Sequence, residues 1–178
     1  AYNNYDSQGT KTFANVGKLT VAAGSVCDFS NKNQYGFGDT VFAGAGTIKT
    51  NGTMLVAGDT TAFDGVLDIA GGVIMGSVAG SFANASTIVN NGMMVCDAAG
   101  VFTYAQNISG NGLIKTGNGA GTEIDITGDI SGFTGSFDAF KDSTVKLNTR
   151  LNDVVNLSHT GGAAGVIELN GDGTPQDV

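Results

Sequence analysis

His159 is the only histidine in the chain, and it lies beside Ser158 in Leu157–Gly162. A Ser-His-Asp relay needs that imidazole against a nucleophile and an orienting acid. Its Gly-rich surroundings read instead as a surface loop. Asp68, Glu123 and Asp125 alternate with apolar residues and so project outward from strands. Paired carboxylates can cleave glycosidic bonds. Holding a sugar would also call on cations or aromatics, yet Arg150 is the only arginine and Trp is absent. The acids are read as keeping an exposed sheet soluble. Leu169–Asp177 (LNGDGTPQD) spaces Asn and Asp oxygens in the manner of a calcium loop but lacks the full ligand series. A structural turn is the first reading there, and weak calcium binding the second. Gly110-Asn111-Gly112 and Gly117-Asn118-Gly119 resemble phosphate cradles, but a cradle opens a helix and no helix is signalled. No catalytic, cofactor or metal residue is assigned, and the chain is read as not an enzyme.

The elements that carry these residues are strands and turns. Of 16 acids, 14 are Asp and 2 are Glu, and 29 of 178 residues are Gly. Asn, Thr and Asp fill turns and strands, not helices. With 41% hydrophobic and 13% charged residues the chain can bury a core. The net charge of −8 and eight scattered cations exclude a basic nucleic-acid surface. No run of about 18 apolar residues offers a membrane-spanning helix.

Segments repeat. Lys18–Cys27, Thr47–Val56, Val66–Met75 and Thr87–Cys96 each place an apolar residue second (Leu19, Ile48, Leu67, Ile88), Gly near the middle, and an apolar residue last (Cys27, Val56, Met75, Cys96). Ile124, Val145 and Ile167 continue the series at spacings of 21 and 22. A Phe followed by a corner recurs at Phe42-Ala43-Gly44, Phe63-Asp64-Gly65, Phe82-Ala83-Asn84 and Phe133-Thr134-Gly135. Three short strands in about 21–23 residues are the arithmetic of a right-handed parallel β-helix, here of about eight rungs. An antiparallel sandwich shows turn signals at similar spacing but has no reason to repeat the same glycine and apolar offsets. Two inward stacks are expected: Leu19–Ile48–Leu67–Ile88 and Cys27–Val56–Met75–Cys96. Cys27 and Cys96 are expected three rungs apart in one row, about 14 Å at ladder spacing, too far to bond.

Within Gly110–Leu147 the residues Gly110, Gly112, Lys115, Gly117, Gly119, Ile124, Ile126, Gly128, Phe133, Thr134, Gly135, Val145 and Leu147 resemble the strand repeat of autotransporter passenger domains. The match covers about 38 residues, and earlier units share its style but not its letters. The resemblance implies a right-handed β-helix, secreted and displayed on a bacterial surface. The 178 residues contain no series of ten-residue amphipathic strands of membrane-barrel type. The expectation is a piece of a longer passenger or a free protein that uses the same repeat.

The domain reading is an N-terminal extension over residues 1–14 for strand exchange or capping, and a β-helix over 15–178. A solenoid exposes a strand ladder at each end unless it is capped. Tyr2, Tyr5 and Phe13 are the candidate self-association residues, in a segment able to add a strand to a neighbouring copy. The expected function is a non-catalytic extracellular or cell-surface solenoid, either a fibre subunit or an adhesin. Its partners are other copies of itself end to end, a host surface or a matrix polymer, with no nucleic acid and no membrane insertion. The alternative is a polysaccharide-processing enzyme or effector on the same scaffold.

Overall fold

The computed structural model describes residues 4–5, 10–12, 17–30, 33–117, 120–151, 154–160 and 165–172. Strands β1 (Asn4–Tyr5) and β2 (Thr10–Thr12) precede the coil. Its first turn holds β3 (Lys18–Thr20), β4 (Val26–Asp28) and β5 (Gln34–Phe37). The second holds β6 (Val41–Gly44), β7 (Thr47–Thr50) and β8 (Thr53–Val56), and the third β9 (Ala62–Phe63), β10 (Val66–Ile69) and β11 (Val73–Gly76). The fourth has β12 (Thr87–Asn90) and β13 (Met93–Cys96). The fifth has β14 (Gly100–Tyr104), β15 (Asn107–Gly110) and β16 (Leu113–Thr116), and the sixth β17 (Thr122–Ile126), β18 (Gly132–Phe133) and β19 (Ser136–Phe140). The seventh has β20 (Thr144–Leu147) and β21 (Asn156–Thr160), and β22 (Val166–Leu169) opens the next.

Each strand from β3 onward pairs in parallel with its counterpart one turn away, so the chain is a parallel β-helix of about seven turns. One face is a nine-stranded sheet, β1-β2-β5-β8-β11-β13-β16-β19-β21. The second is β4-β7-β10-β12-β15-β18. The third is split into β3-β6-β9 and β14-β17-β20-β22. The split falls in the fourth turn, where residues 77–86 form turns instead of a strand. Phe82 there has φ of 57° and is fully buried, stacked edge-on to Phe42 and Phe63 at 5.7 and 5.8 Å between ring centres. The four Phe residues of the recurring corner, Phe42, Phe63, Phe82 and Phe133, are all fully buried.

The core is a set of inward rows. Ile124, Val145 and Ile167 stack in register as their spacing predicts. Ile48, Leu67 and Ile88 also stack, continued by Ile108. Three members of the expected rows belong elsewhere. Leu19 pairs with Phe42 on the third face, and Cys27, not Leu19, heads the Ile48 row. Lys18–Cys27 spans the corner from the third face to the second, whereas the other three segments span the corner from the second to the first. Met75 points outward, in register with Leu55 and Val95, and Gly76 takes the inward place between Val56 and Cys96. Residues 70–72 make a three-residue corner where residues 51–52 make a two-residue one, and the extra residue reverses the strand's phase.

A tight glycine column runs up this second corner. A Cβ on Gly72 would lie 2.0 Å from the Gly52 carbonyl oxygen, one on Gly92 2.2 Å from that of Gly72, and one on Gly112 2.3 Å from that of Gly92. Only glycine permits adjacent turns to approach so closely there.

Candidate self-association surface

At the C-terminal end the rows run into solvent. Leu157 continues the row of fully buried Phe137 yet is 39% exposed, and Leu169 continues that of fully buried Leu147 yet is 55% exposed. Val166, on the outer side of β22, is 46% exposed. Among the described residues β21 and β22 are the edge strands of their sheets, with no ladder partner on one side of each backbone. An apolar row and an unpaired edge in one place form a template for another strand.

The N-terminal end is built differently. β3 and β4 are edge strands, and Leu19 and Cys27 are half-buried. On the nine-stranded face β2 lies parallel on β5, and β1 folds back antiparallel on β2 with Asn4 opposite Thr12 and Tyr5 opposite Lys11. The segment expected to add a strand to a neighbour thus places its described strands on the chain's own first turn. Tyr5 lies in β1, while Tyr2 and Phe13 fall outside the described residues.

The outer surfaces differ from face to face. On the nine-stranded sheet Leu55, Met75 and Val95 form one outward row, and Val73, Met93 and Leu113 its neighbour. The apolar stretches TMLV, VIMG and MMVC break strict alternation and were the sequence signal for it. On the third face Asp125, Lys146 and Glu168 lie in one outward row. Lys146 Nζ meets Glu123 Oε2 at 2.9 Å, and that hydrogen bond raises the lysine's pKa. Asn148 donates to Asp125 Oδ1 at 2.6 Å, and Asn170 donates to Asn148 Oδ1 at 2.7 Å.

The residues considered for chemistry are dispersed. Asp68, Glu123 and Asp125 project outward as expected. His159 sits opposite Ala139 and Ser158 opposite Asp138. As strand neighbours, the two side chains point to opposite faces. The Ser158 hydroxyl donates to the Phe137 carbonyl at 3.4 Å. Among the described residues no three His, Cys, Asp or Glu side chains group together to hold a metal. Residues 173–178 of the calcium-like loop lie outside the described residues. Arg150 borders an open groove of about 470 Å³ with Asp129 and Asp172, an arrangement not read from sequence because it joins three successive turns.

A repeated corner also escaped sequence analysis. Gly58–Gly65 (GDTTAFDG) and Gly128–Gly135 (GDISGFTG) share G-D-x-[TS]-x-F-x-G and the same sequence of buried and exposed positions. Asp59 accepts from the Thr61 amide, and Asp129 from the Ser131 amide, both at 2.8 Å. These bonds hold both carboxyls below the usual carboxylate range. The recurring Phe corners at Phe63 and Phe133 are the second half of this unit, which a Gly-Asp turn opens.

Cys27 lies on the second face and Cys96 on the first, three turns apart, and both are free thiols. They do not share a row, which corrects the expected placement. Burial pushes Cys96 up to about 12, against a weaker opposing effect of its contact with Tyr104. Burial, followed by the charge of Asp28, raises Cys27 less. A thiolate-directed reagent at pH 8 is expected to modify only Cys27 in the folded chain, slowly, and both cysteines after unfolding. Mass spectrometry of the labelled peptides checks this, and rapid labelling of Cys96 in the folded chain would contradict its burial.

No family model, no curated protein and no solved structure matches the chain.

Proposed function

We propose that this chain is a non-catalytic β-solenoid of a bacterial cell surface or its extracellular surroundings. It works by associating with further copies of itself end to end, as a fibre subunit or as the body of an adhesin that meets a host surface or matrix polymer. The observation that carries this reading is the last described turn, where Leu157 and Leu169 are exposed at the ends of core rows, on β21 and β22, which among the described residues are edge strands. The Gly110–Leu147 resemblance to autotransporter passengers supports the location. Glu123 and Asp125, engaged by Lys146 and Asn148, support a structural use of those acids.

Sedimentation velocity over a concentration series, with negative-stain microscopy, tests the reading. Mass is expected to rise with concentration and rods to lengthen. A monodisperse monomer at the highest concentration, with no filaments, would overturn it. A second reading, glycan processing, draws on the groove shared by Arg150, Asp129 and Asp172. Release of reducing ends from a polysaccharide by the parent but not by Asp129→Asn would establish it instead.

A further inference from the structure

We propose that copies stack head to tail, β22 of one on β3 of the next, and that this register requires β1 to leave β2 so that β21 of the first copy takes its place. The inference rests on the self-association proposed above and adds its polarity and its gate.

The polarity follows from the ladders. Among the described residues β3 and β22 are the first and last strands of the third face, whose other two edges, β9 and β14, flank its break in the fourth turn, and the coil's strands pair in parallel. Only head-to-tail stacking continues a parallel ladder, because tail-to-tail stacking would set β22 antiparallel to another β22. Charge selects the same arrangement. The outward row runs acid, base, acid through Asp125, Lys146 and Glu168. Lys18 is exposed on β3, and with Glu168 facing it the alternation continues. The same register sets Leu169 against Leu19, extending the inward row from Leu147, and Asn170 against Thr20, extending the side-chain ladder from Asn148. Tail-to-tail contact would bring the Glu168 carboxylates of both copies to one edge.

The gate follows from counting levels. β21 lies on the seventh level of the coil and β22 on the eighth, so β3 of the next copy takes the ninth. Its β2, one level before its first turn, then takes the eighth, and its β1 the seventh. β1 therefore occupies the place that β21 of the preceding copy needs. β21 is parallel to β19 and β2 is parallel to β5, so their pairing would continue the ladder. β1 is an antiparallel cap of two residues held on a three-residue strand, short enough to be displaced.

Charge variants of the full chain test the polarity. Glu168→Lys alone and Lys18→Glu alone are each expected to associate about tenfold more weakly than the parent at low salt. An equimolar mixture of the two is expected to recover, since every junction again pairs Lys with Glu. The gate is tested by Asn4→Cys/Thr12→Cys. Opposite residues of an antiparallel pair lie about 4.5–5.5 Å apart between Cα atoms, within the roughly 4.4–6.8 Å of a disulfide. The oxidised variant is expected to stay monomeric and to assemble once reduced. If the parent assembles but the mixture does not recover, head-to-tail polarity is wrong while self-association stands. If the oxidised variant assembles as readily as the reduced one, β1 is not the gate. If neither the parent nor the reduced variant assembles, this inference and the proposed function fall together.

Discussion

Gly72→Ala is expected to lower the unfolding free energy by about 3 kcal/mol or more, while Gly71→Ala, one residue earlier, stays within about 1 kcal/mol of the parent. The difference lies in what each new methyl group would meet. At Gly72 it would stand 2.0 Å from the Gly52 carbonyl oxygen and 2.6 Å from the Gly52 nitrogen. Both are backbone atoms of the adjacent turn, so relief requires two turns to separate. At Gly71 the nearest atom, at 2.5 Å, is the Asn51 side-chain oxygen, on an exposed residue that can rotate away. Replacing glycine also reduces the freedom of the unfolded chain, which offsets a small strain. Urea unfolding followed by circular dichroism compares the two variants. Equal midpoints for Gly72→Ala and the parent would mean that the corner is not packed as described.

Phe82→Ala is expected to cost about 3–5 kcal/mol, although Phe82 belongs to no strand. Its ring is fully buried between Phe42 and Phe63. Its amide donates to Thr60 Oγ1 at 2.7 Å, tying the irregular fourth-turn segment to the turn before it. Alanine keeps the left-handed backbone, so the loss reports the missing ring and the cavity it leaves. Phe82→Gly is expected to lose about 1–2 kcal/mol less than alanine because glycine carries no penalty at positive φ. Leu169→Ala, at the end of an inward row but 55% exposed, is expected to cost under about 1 kcal/mol in the monomer. Denaturation at a concentration too low for association separates these cases. A Phe82→Ala loss no larger than that of Leu169→Ala would show that the fourth turn is loosely held.

Strand chemistry, period and the parallel coil were legible in the residues. Alternation in Leu67-Asp68-Ile69, Ile124-Asp125-Ile126 and Val145-Lys146-Leu147 marks one buried and one wet side, and those rows stack as read. Spacing near 21 residues calls for stacked turns because no single turn covers its own inward face. Rows failed where corners changed length. The additional residue in 70–72 sends Met75 outward, and the third-face origin of Lys18–Thr20 removes Leu19 from the Ile48 row. Alternation fixes phase only within a strand, and a corner resets it.

The candidate surface divides in the same way. From the sequence, an open ladder at each end follows from the solenoid itself, and Tyr2, Tyr5 and Phe13 single out the first segment. Tertiary structure alone decided that β1 turns back on β2, that the apolar rows emerge uncovered at Leu157 and Leu169, and that Glu168 and Lys18 sit on opposite open edges of one face. These facts depend on which turn each strand occupies, a count accumulated over the whole coil. Local residue types specify strands and corners, but only the stacked structure specifies which turn each strand joins.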